Sequence, residues 1–342
     1  MKAVVAETEQ KRHYPPTYLV NGVMQENPER PERVAMLVQG AKDAGCEFVR
    51  PEDIGAEPIL TAHSSRYLKF LERAHERWSR IAGASEAVTP NIHPIHRRGY
   101  PASVVAQAGW HMIDASAPIS ADTWESAQWS AWTSATAAEL VLGGETAAYA
   151  LCRPPGHHAG AETAGGFCYL NNAAIAANRL RSVHARVAIL DVDLHHGNGT
   201  QDIFYERGDV LTVSIHADPV RFYPFFWGYA DETGAGDGDG ANLNLPLPRG
   251  SNDAAFMDAL ASALKNVQSF KPDALVIALG LDAYEGDPIA GLAVTTGGFA
   301  QIGEAIGGAL KLPTVIVQEG GYPCDALGAN LSAFLSGYES KR

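Results

Sequence analysis

Short runs of Val, Ile, Leu and Ala punctuate the chain, and each ends in a polar or glycine residue. They are Ala3–Ala6, Ala147–Cys152, Val187–Leu190, Val210–Ile215, Ala274–Leu279 and Thr314–Val317. Apolar throughout, they have no face for water. That is the pattern of strands buried on both sides of a parallel sheet. Between them, apolar residues recur at helical spacing over Arg33–Ala44, Ser65–Arg80, Ser126–Leu142, Asn171–Leu180, Asp253–Ser269, Phe299–Leu310 and Asp325–Leu335. Strand and helix in alternation predict a mostly parallel α/β sheet with helices on both faces.

No Ser/Gly/Pro linker divides the pattern. The glycine-rich stretch Gly234–Gly240 follows an aromatic segment and precedes a polar, strand-like run, so it reads as a surface loop. No internal repeat is visible, and residues 1–342 are expected to form one domain. Lys11–Pro31, rich in Pro and aromatic residues, shows no periodicity and is expected to be a functional loop without regular structure.

Composition narrows the picture. With 46% hydrophobic and 19% charged residues the chain can bury a large core, which excludes disorder. A formal charge of −13 argues against a nucleic-acid partner. Cys46, Cys152, Cys168 and Cys324 form no CxxC pair, so reduced thiols are expected. No apolar run is long enough to span a bilayer, and the N-terminus lacks a signal-type apolar stretch. A cytoplasmic enzyme is expected.

In open parallel sheets the ligand site lies beyond the carboxyl ends of the strands. The segments there are RPPGHH (153–158), DVDLHHGNG (191–199), GLDAYEGDP (280–288) and EGGY (319–322). Asp193 and His195 are two apart, so on an extended strand end they point the same way. With Asp282 they offer a cation two carboxylates and one imidazole. That set leaves Zn²⁺ an open position for water and substrate. His157 and His158 follow a Pro-Pro-Gly turn and suit proton transfer, with Asp191 and Asn198 as partners on their other ring nitrogens. Tyr322, after two glycines, can donate a hydrogen bond to an oxyanion. No GxSxG elbow is present, which disfavours a covalent serine mechanism.

With these residues in view, the sequence resembles the zinc-dependent histone deacetylase superfamily, and within it the bacterial acetylpolyamine amidohydrolases. LCRPPGHHAG, GGFCYLNNAAIAA, ILDVDLHHGNGTQDIFY and GLDAYEGDP carry the resemblance. It implies a single-domain, three-layer arginase/deacetylase-like fold and hydrolysis of a small N-acyl or N-alkyl amide. It assigns Asp193, His195 and Asp282 to one Zn²⁺, His157 and His158 to the catalytic pair with His158 as general base, and Tyr322 to carbonyl polarisation. Asp191 would orient His157, and Asn198 would face His158. Gly166, Phe167 and Phe225 would wall the substrate tunnel. A structural K⁺ would be held by Asp191, Asp193, His195, Ser214 and Ile215, partly through carbonyls. The loop over 11–31 would close the tunnel from a neighbouring subunit in a homodimer or homotetramer.

The acids that hold a cationic chain in that family are replaced here by Tyr18, Val105 and Ser116, with Asp114 nearby. The expected mouth is neutral and aromatic: Tyr14, Tyr18, Trp110, Trp124, Phe222, Phe226 and Trp227, of which Tyr18 and Trp227 are expected to touch substrate. Acetylpolyamines, neutral amides such as dimethoate, and acyl-lysine are the substrate alternatives. A binuclear manganese ureohydrolase would need more carboxylates than this set offers. A binding module without catalysis would need a broken residue in the set, and none is broken.

Overall fold

All six apolar runs form strands in the structure, a computed structural model that describes residues 1–342. In chain order the strands are β1 (Lys2–Val4), β2 (Thr17–Val20), β3 (Val23–Glu26), β4 (Glu47–Val49), β5 (Ala147–Ala150), β6 (Val187–Asp191), β7 (Val210–Ala217), β8 (Asn242–Leu247), β9 (Ala274–Leu279) and β10 (Thr314–Gln318). Eight build one sheet in the order β4-β1-β5-β10-β9-β6-β7-β8, and every neighbouring pair is parallel.

Side chains alternate across this sheet as the strand period requires. Along β6, Val187 and Ile189 enter one core, while Ala188 and Leu190 enter the other. The first core is covered by the helices Ser65–Trp78, Val104–His111, Thr123–Leu142 and Asn172–Arg181. The second lies under Glu32–Asp43, Asp253–Phe270, Thr296–Ala309 and Leu327–Ser340. Helix, sheet and helix make three layers. The edge strand β4 and the helices Val104–His111 and Asn198–Phe204 were not expected, whereas the polar, strand-like run after Gly240 forms the other edge, β8. The three unexpected elements are short, so their apolar signal is weak.

The loop expected over 11–31 departs further. It contains an antiparallel hairpin, β2 against β3, pairing Tyr18 with Gln25 around a two-residue turn. Asn21 (φ 51°) and Gly22 (φ 76°) supply the left-handed residues that such a turn needs. The hairpin's base is fastened to the body. Glu29, fully buried, pairs with Arg33 at 2.7 Å and Arg153 at 2.8 Å. Arg153 donates to the carbonyls of Gln10 and His13, and Asn27 Nδ2 donates to Pro15 O at 3.0 Å.

Candidate active site

β5, β10, β9 and β6 are neighbours in the sheet, so the four polar segments after them reach one edge. Beyond β6 the chain stays in tight Asx-type turns. Asp191 Oδ1 accepts from Asp193 N at 3.0 Å, and Asp193 Oδ1 accepts from His195 N at 2.8 Å. Asp282, three residues past β9, accepts from Leu194 N at 3.1 Å. Asp193 Oδ2 accepts from Gly320 N, past β10, at 2.7 Å. The carboxylates are thus held by backbone amides from the segments after β6 and β10. Glycine is required for this crowding: a Cβ at Gly280 would overlap the Asp193 carboxylate, and one at Gly320 would overlap that of Asp282.

The ligand atoms of Asp193, His195 and Asp282 lie within 4.8 Å of one another, and all three residues are buried. His195 Nδ1 sits 3.1 Å from Asp282 Oδ2 and 3.3 Å from Asp193 Oδ1. Burial favours a neutral His195, but the hydrogen bonds to Asp193 and Asp282 outweigh it and push the ring up to about 9. Burial and then Asp193 raise Asp282, whereas His157 and His195 override burial and lower Asp193. Two buried carboxylates around one imidazole lone pair form a donor set that suits a divalent cation. His157, Cys168 and Glu319 form a second close group. None of those three reaches the cavity wall, and Glu319 Oε2 is already taken by Gly156 N and His157 N, at 2.6 and 3.0 Å.

The two histidines differ sharply. His157 Nδ1 donates to Asp191 Oδ2 at 2.9 Å. Burial opposes its charge, but Asp193 and Asp191 together push the ring up to about 10. His158 Nδ1 donates to Asn198 Oδ1 at 2.7 Å, which leaves Nε2 unprotonated. Burial first, then the charges of His157 and His195, hold His158 far below its ordinary value. Only His158 of the pair lines the cavity.

That cavity holds about 500 Å³ and ends on His158, His195 and Tyr322. Tyr322 is pinned from behind by Arg33, whose guanidinium lies 5.1 Å from the ring centroid. Arg33 also binds Gly321 O at 2.6 Å and Glu319 O at 2.7 Å, so it carries the whole EGGY turn. The Tyr322 amide donates to Asp287, and the hydroxyl has no partner within the chain.

Gly166, Phe167, Phe225 and Tyr18 line the walls, with Ser116. Phe167 stands edge-on to both Tyr18 and Tyr322, at 5.2 and 5.7 Å between centroids. Phe167 (φ 66°) and Phe225 (φ 62°) are both left-handed, a conformation that costs a non-glycine residue about 1–3 kcal/mol and gathers at functional sites.

Several sequence expectations fail at the rim. Trp227 does not line the cavity; it packs edge-on against Phe226 outside it. Tyr14, Trp110, Trp124 and Phe226 are absent from the wall, and Trp110 is buried elsewhere. Asp114 does not serve as a mouth acid: its carboxylate accepts from Tyr223 OH and Ser116 Oγ, each at 2.6 Å. The rim is not neutral either, since Glu26, Arg221 and Arg249 face the cavity. Tyr223, packed edge-on to His158 at 4.9 Å, was also missed. Of the expected K⁺ group, Asp191 faces Ser214 across β6–β7, and both border a small polar cavity. Asp193, His195 and Ile215 are not on its wall.

The histone deacetylase domain matches residues 25–338. Acetylpolyamine amidohydrolase of Burkholderia pseudomallei is 51% identical over 339 residues, spanning 98% of each chain. Acetylpolyamine amidohydrolase 1 of Pseudomonas aeruginosa is 43% identical over 98% of each chain. Among solved structures, an acetylpolyamine aminohydrolase from Burkholderia pseudomallei superposes with a TM-score of 0.96 at 48% identity, covering 100% of both chains.

Proposed function

This chain belongs to the histone deacetylase family, and from that membership we propose a metal-dependent amidohydrolase that cleaves the amide of a small acylated amine. One observation carries the reading. His195 of the Asp193–His195–Asp282 donor cluster lies on the wall of a cavity that His158 and Tyr322 also line, and the two carboxylates sit buried against its ring.

Asp193, His195 and Asp282 would hold the cation, proposed as Zn²⁺. Bound there, it would supply Lewis acidity to a carbonyl oxygen and acidify a water. The chain's residues do the rest. His158, neutral and with Nδ1 engaged by Asn198, takes the water's proton on Nε2 and returns it to the amine nitrogen as the C–N bond breaks. His157, whose Nδ1 is held by Asp191, favours negative charge developing beside it. Tyr322 donates its free hydroxyl to the carbonyl oxygen as that oxygen becomes anionic, a contact worth about 3 kcal/mol of barrier. Phe167 and Phe225 confine the substrate's alkyl arm.

The names of the relatives favour an acetylated polyamine as that amine. Tyr18 and Ser116, where acids would hold a polycation, favour other amines. A K⁺ bound by Asp191, Asp193, His195, Ser214 and Ile215, largely through carbonyls, would brace the β6–β7 edge. Leu19, Val23 and Met24 leave apolar side chains exposed on the hairpin, which supports a homodimer or homotetramer in which 11–31 narrows the entry. No helix is long and apolar enough to cross a membrane, and a cytoplasmic setting fits the free cysteines.

Metal analysis paired with amine release tests the core of this. About one zinc per chain should be found, and amine release from N-butylacetamide or N-acetylputrescine should vanish on chelation and return with zinc. Hydrolysis that survives complete metal removal, or two metals per chain, overturns it.

A further inference from the structure

Apart from His158 and His195, the ionisable side chains on the cavity wall at ordinary pH are Glu26, Arg221 and Arg249. They are not equivalent. Glu26 on β3 is paired with Arg30 at 2.8 Å, just past the hairpin. Arg221 and Arg249 have no carboxylate partner in the chain. Acids outnumber bases by 39 to 26 in the chain, yet none of them neutralises these two cavity-lining arginines.

Arg249 is also held in place. Its guanidinium lies 5.2 Å from the Phe222 ring centroid, and Nη2 donates to Ala290 O at 3.0 Å. The Phe222 ring is in turn stacked on His195 at 5.2 Å with an interplanar angle of 15°. Two steps of 5.2 Å therefore place this cation no more than about 10 Å from the His195 ring, as a guanidinium seated on an aromatic face would be. Nε and Nη1 of Arg249 have no acceptor in the chain, and Arg221 has none for any of its nitrogens. Planar guanidinium forks match carboxylate oxygens in a way that a point cation does not.

We propose that Arg221 and Arg249 form a specificity site for a carboxylate at the far end of the acylated amine, so that the substrate is an N-acyl ω-amino carboxylate. This rests on the amidohydrolase reading above and names its substrate class. The short distance from Arg249 to His195 fits a chain of a few methylenes between amide and carboxylate. The same two cations repel the free ammonium of a monoacetylated diamine. The hydrolysis itself is balanced: water adds across the C–N bond, giving the carboxylic acid and a free ω-amino acid.

A charge series of matched length tests it on the zinc-loaded protein: 4-acetamidobutanoate, N-butylacetamide and N-acetylputrescine, with 6-acetamidohexanoate as a longer anionic probe. The expected order of kcat/KM is anionic, then neutral, then cationic. Arg221→Gln with Arg249→Gln should lower the ratio of anionic to neutral kcat/KM at least tenfold, the equivalent of about 1.4 kcal/mol. Either exposed arginine alone should give an intermediate ratio. Preference for N-acetylputrescine over both anionic probes overturns the inference and leaves the amidohydrolase reading standing. So does an unchanged ratio in the double variant, including one accompanied by a change in oligomer mass. Failure of the wild-type protein to cleave any probe removes both.

Discussion

The floor of the cavity comes from four strand ends of one sheet, β5, β10, β9 and β6, whereas its rim comes from a hairpin near the N-terminus, the turn after β7 and the loop after β8. Beneath the floor, Asp193 and Asp282 are fully buried and each is fixed by a backbone amide from another segment. On the rim, Phe225 is 47% exposed and Arg221 makes no contact that fixes it. The floor sets which bond is attacked. The rim sets what can be brought to it. A scaffold built this way can hold reacting groups in register while the entry changes around it.

The joint between the two regions is the first place to test. Glu29 serves both: it fastens the hairpin's base and neutralises Arg33, which carries the Tyr322 turn. Glu29→Gln leaves two buried guanidiniums without their anion and should cost about 3–5 kcal/mol of stability. Urea unfolding measures this. A loss under about 1 kcal/mol would mean that floor and rim are anchored independently.

Tyr322→Phe probes the floor alone. Turnover should fall by about 10²–10³ with zinc content and KM nearly unchanged, since the hydroxyl has no structural partner to lose. Steady-state kinetics and metal analysis give both numbers. A rise in KM with intact kcat would place Tyr322 in binding instead.

The smallest effect belongs to the rim. Phe225 holds φ 62° and buries only half its surface, so Phe225→Gly relieves strain at little cost in packing. We expect stability to hold or rise by up to about 1 kcal/mol while KM increases several-fold. Thermal unfolding beside KM checks it. A clear loss of stability would show that this wall is part of the core.

The same contrast explains how much was readable in the sequence. Asp191, Asp193, His195, His157, His158 and Asn198 lie in two short segments, each directly after a doubly apolar strand, so strand period and the edge rule bring them together. Asp282 and Tyr322 follow β9 and β10 in the same way. The rim has no such grammar. Glu26, Arg221 and Arg249 are separated by long stretches of chain, and only tertiary packing makes them neighbours. Trp227 was misplaced for that reason: an aromatic run shows that rings gather, not which of them face inward. The hairpin was different. Asn21-Gly22 between short β-prone runs is a turn signature, and it was passed over because β2 and β3 are mostly exposed and lack an apolar face. Arg33 was missed because its role is to hold carbonyls nearly three hundred residues away, which its nearby partner Glu29 does not announce.

Gly280 and Gly320 carry this division into descent. At either position even the smallest side-chain replacement drives a methyl into a carboxylate beneath the floor. Single-codon drift there leads only to damaged offspring, and no compensating change next door can move a strand end aside. Variation that survives must accumulate elsewhere, and the exposed entry is where it is cheapest. Lineages built on this frame should therefore diverge in diet long before they diverge in chemistry.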